Sequence, residues 1–160
     1  MAFDKSPDVR FGVPYDNERI FELMKLARDE QGEHPINEDK VRWRIATATE
    51  RQGALVGVVG SPCGNLMGYV LLVIDPIWYS DEFQLLEVST FVHPFHRKST
   101  YAKQLINFAK SCADDLDLHL VIGVLSNIRT EAKCRLYRRQ VTPIGQFFIH
   151  RPGDAHSGGH

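Results

Sequence analysis

The chain predicts a mixed α/β (α+β) domain: a mostly antiparallel sheet with one parallel strand pair, and helices on both faces. Three observations carry this. Apolar residues recur at helical spacing in several segments, two apolar runs are joined by a tight turn cluster, and one compact strand–helix–strand passage implies a right-handed parallel crossover. With 160 residues, 43% hydrophobic and 24% charged, the chain has the size of one globular domain with a single core. Residues 1–150 are assigned to it. The remaining ten, 151–160, read "RPGDAHSGGH" and are expected to form a flexible tail.

"VRFGVP" reads as a short first strand ending at Pro14, after which Asp16 or Asn17 can cap a helix running to about Gln31. Its apolar positions Ile20, Phe21, Leu23, Met24 and Ala27 fall on one face. Past the loop "GEHPI", Asn37 caps a second helix over about 38–50, with Val41, Ile45 and Ala48 inward. "GALVGVVG" and "NLMGYVLLVID" flank "SPCGN", a hairpin-type turn cluster, and so form antiparallel neighbours. Residues 83–93 form a fourth strand, apolar on both faces and ended by Pro94, which cannot donate to a ladder. From Lys98 to about Leu116 the positions Tyr101, Leu105, Phe108, Ala109, Cys112, Ala113 and Leu116 mark the clearest helix. "LHLVIGVL" is then a buried strand, 129–139 a fourth helix, and "GQFFIH" a closing strand.

Lys plus Arg (19) nearly balances Asp plus Glu (20), so overall charge marks neither a nucleic-acid binder nor a membrane-surface protein. Cys63, Cys112 and Cys134 are odd in number and lack a Cys-x-x-Cys spacing, which argues against a disulfide framework and a zinc site and suits a reducing cytoplasm. No apolar leader and no membrane-length apolar run is present, and a cytoplasmic location is expected. Pro94 separates His93 from His96 and prevents the helical spacing that would place both on one metal, so no metal is expected.

The stretch "FVHPFHRKSTYAKQL" carries the most chemistry. A strand exits through a proline and a basic pair, Arg97 and Lys98, into a helix whose first amides are unpaired, a natural anion cradle. Ser99 and Thr100 serve there as ligand contacts, as helix caps, or as both.

In these residues the chain resembles the GNAT superfamily of acyl-CoA-dependent N-acyltransferases, and the resemblance extends over nearly its whole length. Members show an apolar strand ending in Val-x-Pro and then Arg or Gln-x-x-Gly-x-Gly or Ala opening a helix. Here Val92, His93 and Pro94 match the strand exit, and Arg97, Lys98, Ser99, Thr100, Tyr101 and Ala102 occupy the loop, with Thr100 in place of the usual central glycine. The later segment "LSNIRTEAKCRLYRRQVTPIGQFFI" is also similar, with Asn127 after the fifth strand and Tyr137 on the next helix.

The resemblance implies an N-acetyltransferase that moves an acetyl group from acetyl-CoA, its co-substrate, to a primary amine by direct attack in a ternary complex. Loop residues 97–102 would hold the CoA pyrophosphate. Backbone groups near Phe91 and Val92 would hold the thioester and pantetheine arm, with Asn127 meeting that arm from across the gap. The family role of the tyrosine at position 137 is to protonate the leaving thiolate, and a phenol of pKa about 10 is suited to it. Glu87, between Leu86 and Val88, is the candidate base for the ammonium proton, because an apolar setting raises a carboxyl pKa. An acidic stretch, Asp29, Glu30, Glu33, Glu38 and Asp39, would rim the acceptor cleft and concentrate a cationic amine, with Trp78 or Tyr79 as its wall. The same acids are also explained as solvated helix ends.

Two other readings stay open at this stage. One is a domain of this type that binds acyl-CoA without turnover; the other is a nucleic-acid module using the basic helix 129–139. The acceptor class is a small-molecule or protein amine. Dimers are common among similar proteins, so a homodimer stands as an alternative to the monomer.

Overall fold

The computed structural model describes residues 9–124 and 130–155. Five strands form one sheet in the order β1 (Val9–Phe11), β2 (Ala54–Gly60), β3 (Leu66–Pro76), β4 (Phe83–Val92) and β5 (Leu120–Val121). All neighbours are antiparallel except β4 and β5, which are parallel, as the sequence predicts. Helices α1 (Asn17–Gln31) and α2 (Glu38–Thr49) cover one face through Ile20, Phe21, Leu23, Met24, Ile45 and Ala48. Helix α3 (Tyr101–Leu116) covers the other through Leu105, Ala109, Cys112 and Ala113, and α4 (Thr130–Gln140) lies beside it. Each fully buried aliphatic or aromatic side chain in these two layers contributes about 1.5–3 kcal/mol. No helix among the described residues is long and apolar enough to cross a membrane.

The local signals act mostly as expected. Asn37 Oδ1 accepts from the Lys40 amide at 3.0 Å and starts α2. Asp16 occupies the cap position of α1, yet its carboxylate does not bond the helix. It is fully buried and accepts from Arg10 Nη1 at 2.8 Å, Arg10 Nη2 at 2.9 Å, the Val13 amide at 2.8 Å and the Arg19 guanidinium. Arg19 also donates to the carbonyls of Ser61 and Pro62, each at 2.9 Å, so this one carboxylate ties β1, α1 and the β2–β3 turn together. Two glycines serve close approach. A Cβ on Gly57 would lie 2.5 Å from the Phe108 ring of α3, and one on Gly68 would lie 2.8 Å from the Phe91 carbonyl oxygen of β4.

Helix α3 begins at Tyr101 rather than Lys98, because residues 94–96 form a separate 3₁₀ turn after Pro94. The larger difference is at the C-terminal side. The expected closing strand at 145–150 does not pair with any strand among the described residues, and Ile144, Phe147, Phe148 and Ile149 are 63–89% exposed. Two contacts flank it in the chain. Lys110 of α3 donates to the Gln140 carbonyl at 3.1 Å, and Arg151 Nε donates to Glu33 Oε2 of the α1–α2 loop at 2.7 Å. Arg151 also opens a turn closed by Asp154, so the expected tail is held at its first residues.

Asp16→Ala takes the carboxylate from Arg10 and Arg19, which are 27% and 23% exposed and keep carbonyl acceptors, and should cost about 1–3 kcal/mol in urea unfolding. Burial alone would raise the Asp16 pKa, but the Arg10 and Val13 hydrogen bonds and both guanidinium charges overcome it and hold the carboxyl below its usual value. Its contribution is therefore fully present above the ordinary aspartate range and is lost as pH falls through the depressed value. Asp16→Ala should accordingly flatten the acid limb of the stability curve.

Candidate active site

The site starts from an irregularity in β4. Ser89 pairs with Leu71 and Glu87 pairs with Leu72, so Val88 is an extra residue opposite no partner, a β-bulge. Side chains alternate faces with period two in a regular strand, which would send Glu87 and Thr90 to opposite sides. The bulge reverses the alternation. Glu87 lies opposite Leu72 and Thr90 opposite Val70, both members of the α3-side core, while Ser89 and Phe91 lie opposite Leu71 and Tyr69 of the α1-side core. Glu87 and Thr90 thus share the α3 face. Thr90 Oγ1 donates to Glu87 Oε2 at 2.7 Å.

A second feature opens the cleft. β4 and β5 pair only at Leu85 with Leu120 and Leu86 with Val121, so the strands separate at Glu87. The His93 amide bonds to Met67 of β3 at 2.8 Å, and ladder alternation then turns the amides of Thr90 and Val92 away from β3, toward the gap. Of the two backbone positions singled out from the sequence, the Val92 amide is turned to the gap and the Phe91 amide to β3. Into the gap α4 sends Tyr137, which is 9% exposed and whose hydroxyl donates to Glu87 Oε2 at 3.0 Å. The two residues that the sequence offered for proton transfer are therefore in direct hydrogen bond, although 50 positions separate them.

The electrostatics follow from this burial. Desolvation raises the Glu87 pKa above the ordinary carboxylate value, and the hydrogen bonds from Thr90, Tyr137 and the Gly123 backbone, with the Lys133 charge, offset part of the rise. Desolvation, reinforced by the adjacent Glu87, also raises the Tyr137 pKa well beyond the ordinary phenol, so its hydroxyl stays protonated.

From Tyr137 a cavity of about 340 Å³ runs to the start of α3; Glu87 is not among its walls and meets it only through its hydrogen bonds to Thr90 and Tyr137, which are. Thr90, Phe91, Val92, Arg97, Ser99, Thr100, Ala102 and Tyr137 line it, together with Lys103, Lys133 and Leu136. The first amides of α3 have no intrahelical acceptors. The Tyr101 amide is met by Ser99 Oγ at 3.2 Å, so Ser99 does the capping, whereas Thr100 Oγ1 makes no cap and accepts from Gln104 Nε2 at 2.8 Å. Thr100 has φ −89° and ψ 9°, open to any residue, so this turn does not require the glycine usual at that position.

Other expected residues are placed differently. Lys98 is exposed and does not line the cavity, nor does Tyr101, whose ring lies 6.1 Å from that of His96. Arg97 reaches the cavity with its Nε on the Val92 carbonyl at 3.2 Å and a guanidinium nitrogen on Glu30 at 2.5 Å. Trp78 and Tyr79 pack edge to face in the β3–β4 loop, 92% and 75% exposed, and are not among the cavity's walls. Glu33 pairs with Arg151 and Glu30 with Arg97, so two acids of the expected rim are already neutralised. Asn127 lies outside the described residues. Lys133 was within reach of sequence reasoning, being one helical turn before Tyr137. Thr90 was not, because period-two alternation assigns it to the wrong face.

Thr90→Val removes a donor that favours the charged carboxylate, and the Glu87 pKa should move further up in a carboxyl-resolved NMR titration; an unchanged midpoint would show that Thr90 Oγ1 does not act on Glu87.

No protein-family model matches the chain, and no curated protein matches it in sequence. Solved structures do match. A ribosomal-protein-alanine N-acetyltransferase from Brucella melitensis biovar Abortus 2308 is 16% identical with a TM-score of 0.66, over 89% of this chain and 96% of that one. A Trypanosoma brucei acetyltransferase is 16% identical with a TM-score of 0.67, over 89% and 96%. The aminoglycoside N-acetyltransferase AAC(6')-Iy in complex with CoA is 15% identical with a TM-score of 0.68, over 89% and 92%. At these identities the likeness establishes architecture, and this chain has the fold of the acetyltransferases.

Proposed function

We propose that the protein is an N-acetyltransferase that moves an acetyl group from acetyl-CoA to a primary amine by direct attack in a ternary complex. The observation that carries this reading is the Tyr137–Glu87 hydrogen bond at the point where β4 and β5 separate, with Tyr137 lining a cavity whose far end is a cationic helix start. Acetyl-CoA would supply a thioester whose C–S bond breaks as the C–N bond forms. The solved relatives support an amine acceptor, since they include a ribosomal-protein-alanine acetyltransferase and aminoglycoside acetyltransferases. The residues present suit the co-substrate. Arg97, Lys103, Lys133 and the first amides of α3 offer positive potential to a diphosphate, and Val92 and Thr90 offer amides to an extended arm laid along β4. Arg97 reaches a phosphate by exchanging Glu30 for it.

The proton steps follow from the pair. Glu87 takes the proton that the ammonium must lose, and its raised pKa brings it closer to that task. Once protonated, Glu87 becomes a donor toward the Tyr137 oxygen. That reverses their hydrogen bond and releases the Tyr137 proton to the departing sulfur; the second proton, which the nitrogen loses as the C–N bond forms, leaves to bulk water, so ammonium and thioester give amide, thiol and one free proton.

With acetyl-CoA and a panel of primary amines, including aminoglycosides, polyamines and peptides, thiol release should depend on the amine; binding of acetyl-CoA without release by any amine would reject the reading. Tyr137→Phe should lower kcat by about 10²–10⁴-fold while the KM for acetyl-CoA changes little. Protonation of Glu87 removes the base, so kcat/KM should fall as pH drops through a midpoint above the ordinary glutamate range. In Glu87→Gln that acidic limb should vanish.

A further inference from the structure

We propose that Lys133 is itself an acetyl acceptor, an inference that rests on the acetyl-transfer reading: with acetyl-CoA bound and no outside amine present, the chain acetylates its own Lys133 side chain. Lys133 and Tyr137 line the same cavity. They stand four residues apart on α4, so their Cβ atoms lie roughly 5–6 Å from each other on one face of the helix. Tyr137 in turn donates to Glu87 at 3.0 Å, which puts this lysine beside both members of the pair assigned to proton transfer. The Lys133 charge also acts on Glu87, lowering its pKa against the effect of burial. This nearness separates Lys133 from the other lysine of the cavity wall. Lys103 is exposed and lies in the first turn of α3, where the diphosphate would sit, whereas Lys133 is half-buried beside Tyr137.

The step uses only groups that transfer to an outside amine already uses. Glu87 takes one proton from the Lys133 ammonium, and the neutral amine attacks the thioester carbonyl. As the C–N bond forms and the C–S bond breaks, Tyr137 gives its proton to the sulfur and receives the one held by Glu87, while the second proton of the nitrogen leaves to water. Ammonium and thioester become an N-acetyl-lysine, a thiol and one free proton. Because the amine is tethered beside the site, the step is first order and far faster than attack by a dissolved lysine. The product has lost its positive charge. One of the influences that offset the raised Glu87 pKa then disappears, so the modification holds the base further from its charged form and slows transfer to outside amines.

The test is peptide mapping by mass spectrometry after incubation of the full chain with acetyl-CoA alone. Wild type should release one thiol per chain and carry one acetyl group, on Lys133, labelled at least about tenfold faster than the exposed Lys98 and Lys103. Its rate constant should not change with protein concentration. Tyr137→Phe should slow the labelling of Lys133 by about 10²–10⁴-fold without altering that of Lys98, and Lys133→Arg should abolish the rapid label. In a carboxyl-resolved NMR titration the acetylated protein should show a higher Glu87 midpoint than the untreated one. Labelling that favours Lys98 and Lys103 would mean chemical acetylation from solution, and labelling that speeds up with protein concentration would mean transfer between copies; either overturns the inference. An unmodified Lys133 in a protein that acetylates added amines overturns it too, and leaves the transfer reading standing. If neither Lys133 nor any amine is acetylated, both fall.

Discussion

One inserted residue in β4 organises the functional half of this molecule. Val88 has no partner across the β3 ladder, and its insertion reverses both the side-chain alternation and the direction of the backbone groups beyond it. Without it, Glu87 and Thr90 would point to opposite faces and could not share a hydrogen bond. It also leaves Thr90 and Val92 with amides turned toward the gap, at the level where β5 has already diverged. A regular β4 would also exchange Phe91 and Val92 between the two core layers in which they are buried.

The chemistry of the cleft depends on burial in proportion to pairing. Glu87 is desolvated enough to hold its proton more tightly than a free carboxylate, yet three donors and Lys133 keep the charged form within reach. Tyr137 pays no comparable penalty, because it remains the neutral partner of an adjacent acid. The shared burial raises both pKa values, and the neutral phenol serves as a hydrogen-bond donor to the carboxyl.

Charge outside the cleft is mostly committed. Glu30 holds Arg97 across from the α3 turn, and Glu33 holds Arg151 and with it the C-terminal segment. Two acids of the stretch that begins at the end of α1 therefore join distant parts of the chain. At the other end of α1 the buried Asp16 performs a similar joining role for β1, α1 and the β2–β3 turn.

Much of the architecture was legible in the sequence. Helical periodicity located α1, α2 and α3, the cap at Asn37 and the turn at "SPCGN" set local boundaries, and the short passage from β4 through α3 to β5 required a parallel pair, since each of these signals is carried by residues close in the chain. The anion-binding turn and the candidate residues Tyr137 and Glu87 were visible as types in a pattern. Tertiary structure alone decided what they touch. The Val88 bulge leaves no mark in a run of apolar and polar residues, so the shared face of Glu87 and Thr90 had no sequence signal. The same holds for the pairs that bind Arg97 to Glu30 and Arg151 to Glu33, which join residues more than sixty positions apart and draw the end of the chain away from the edge it was expected to close. Local propensity chooses the conformation of a segment, while its neighbours are chosen by charge and packing over distances that no short window of sequence contains.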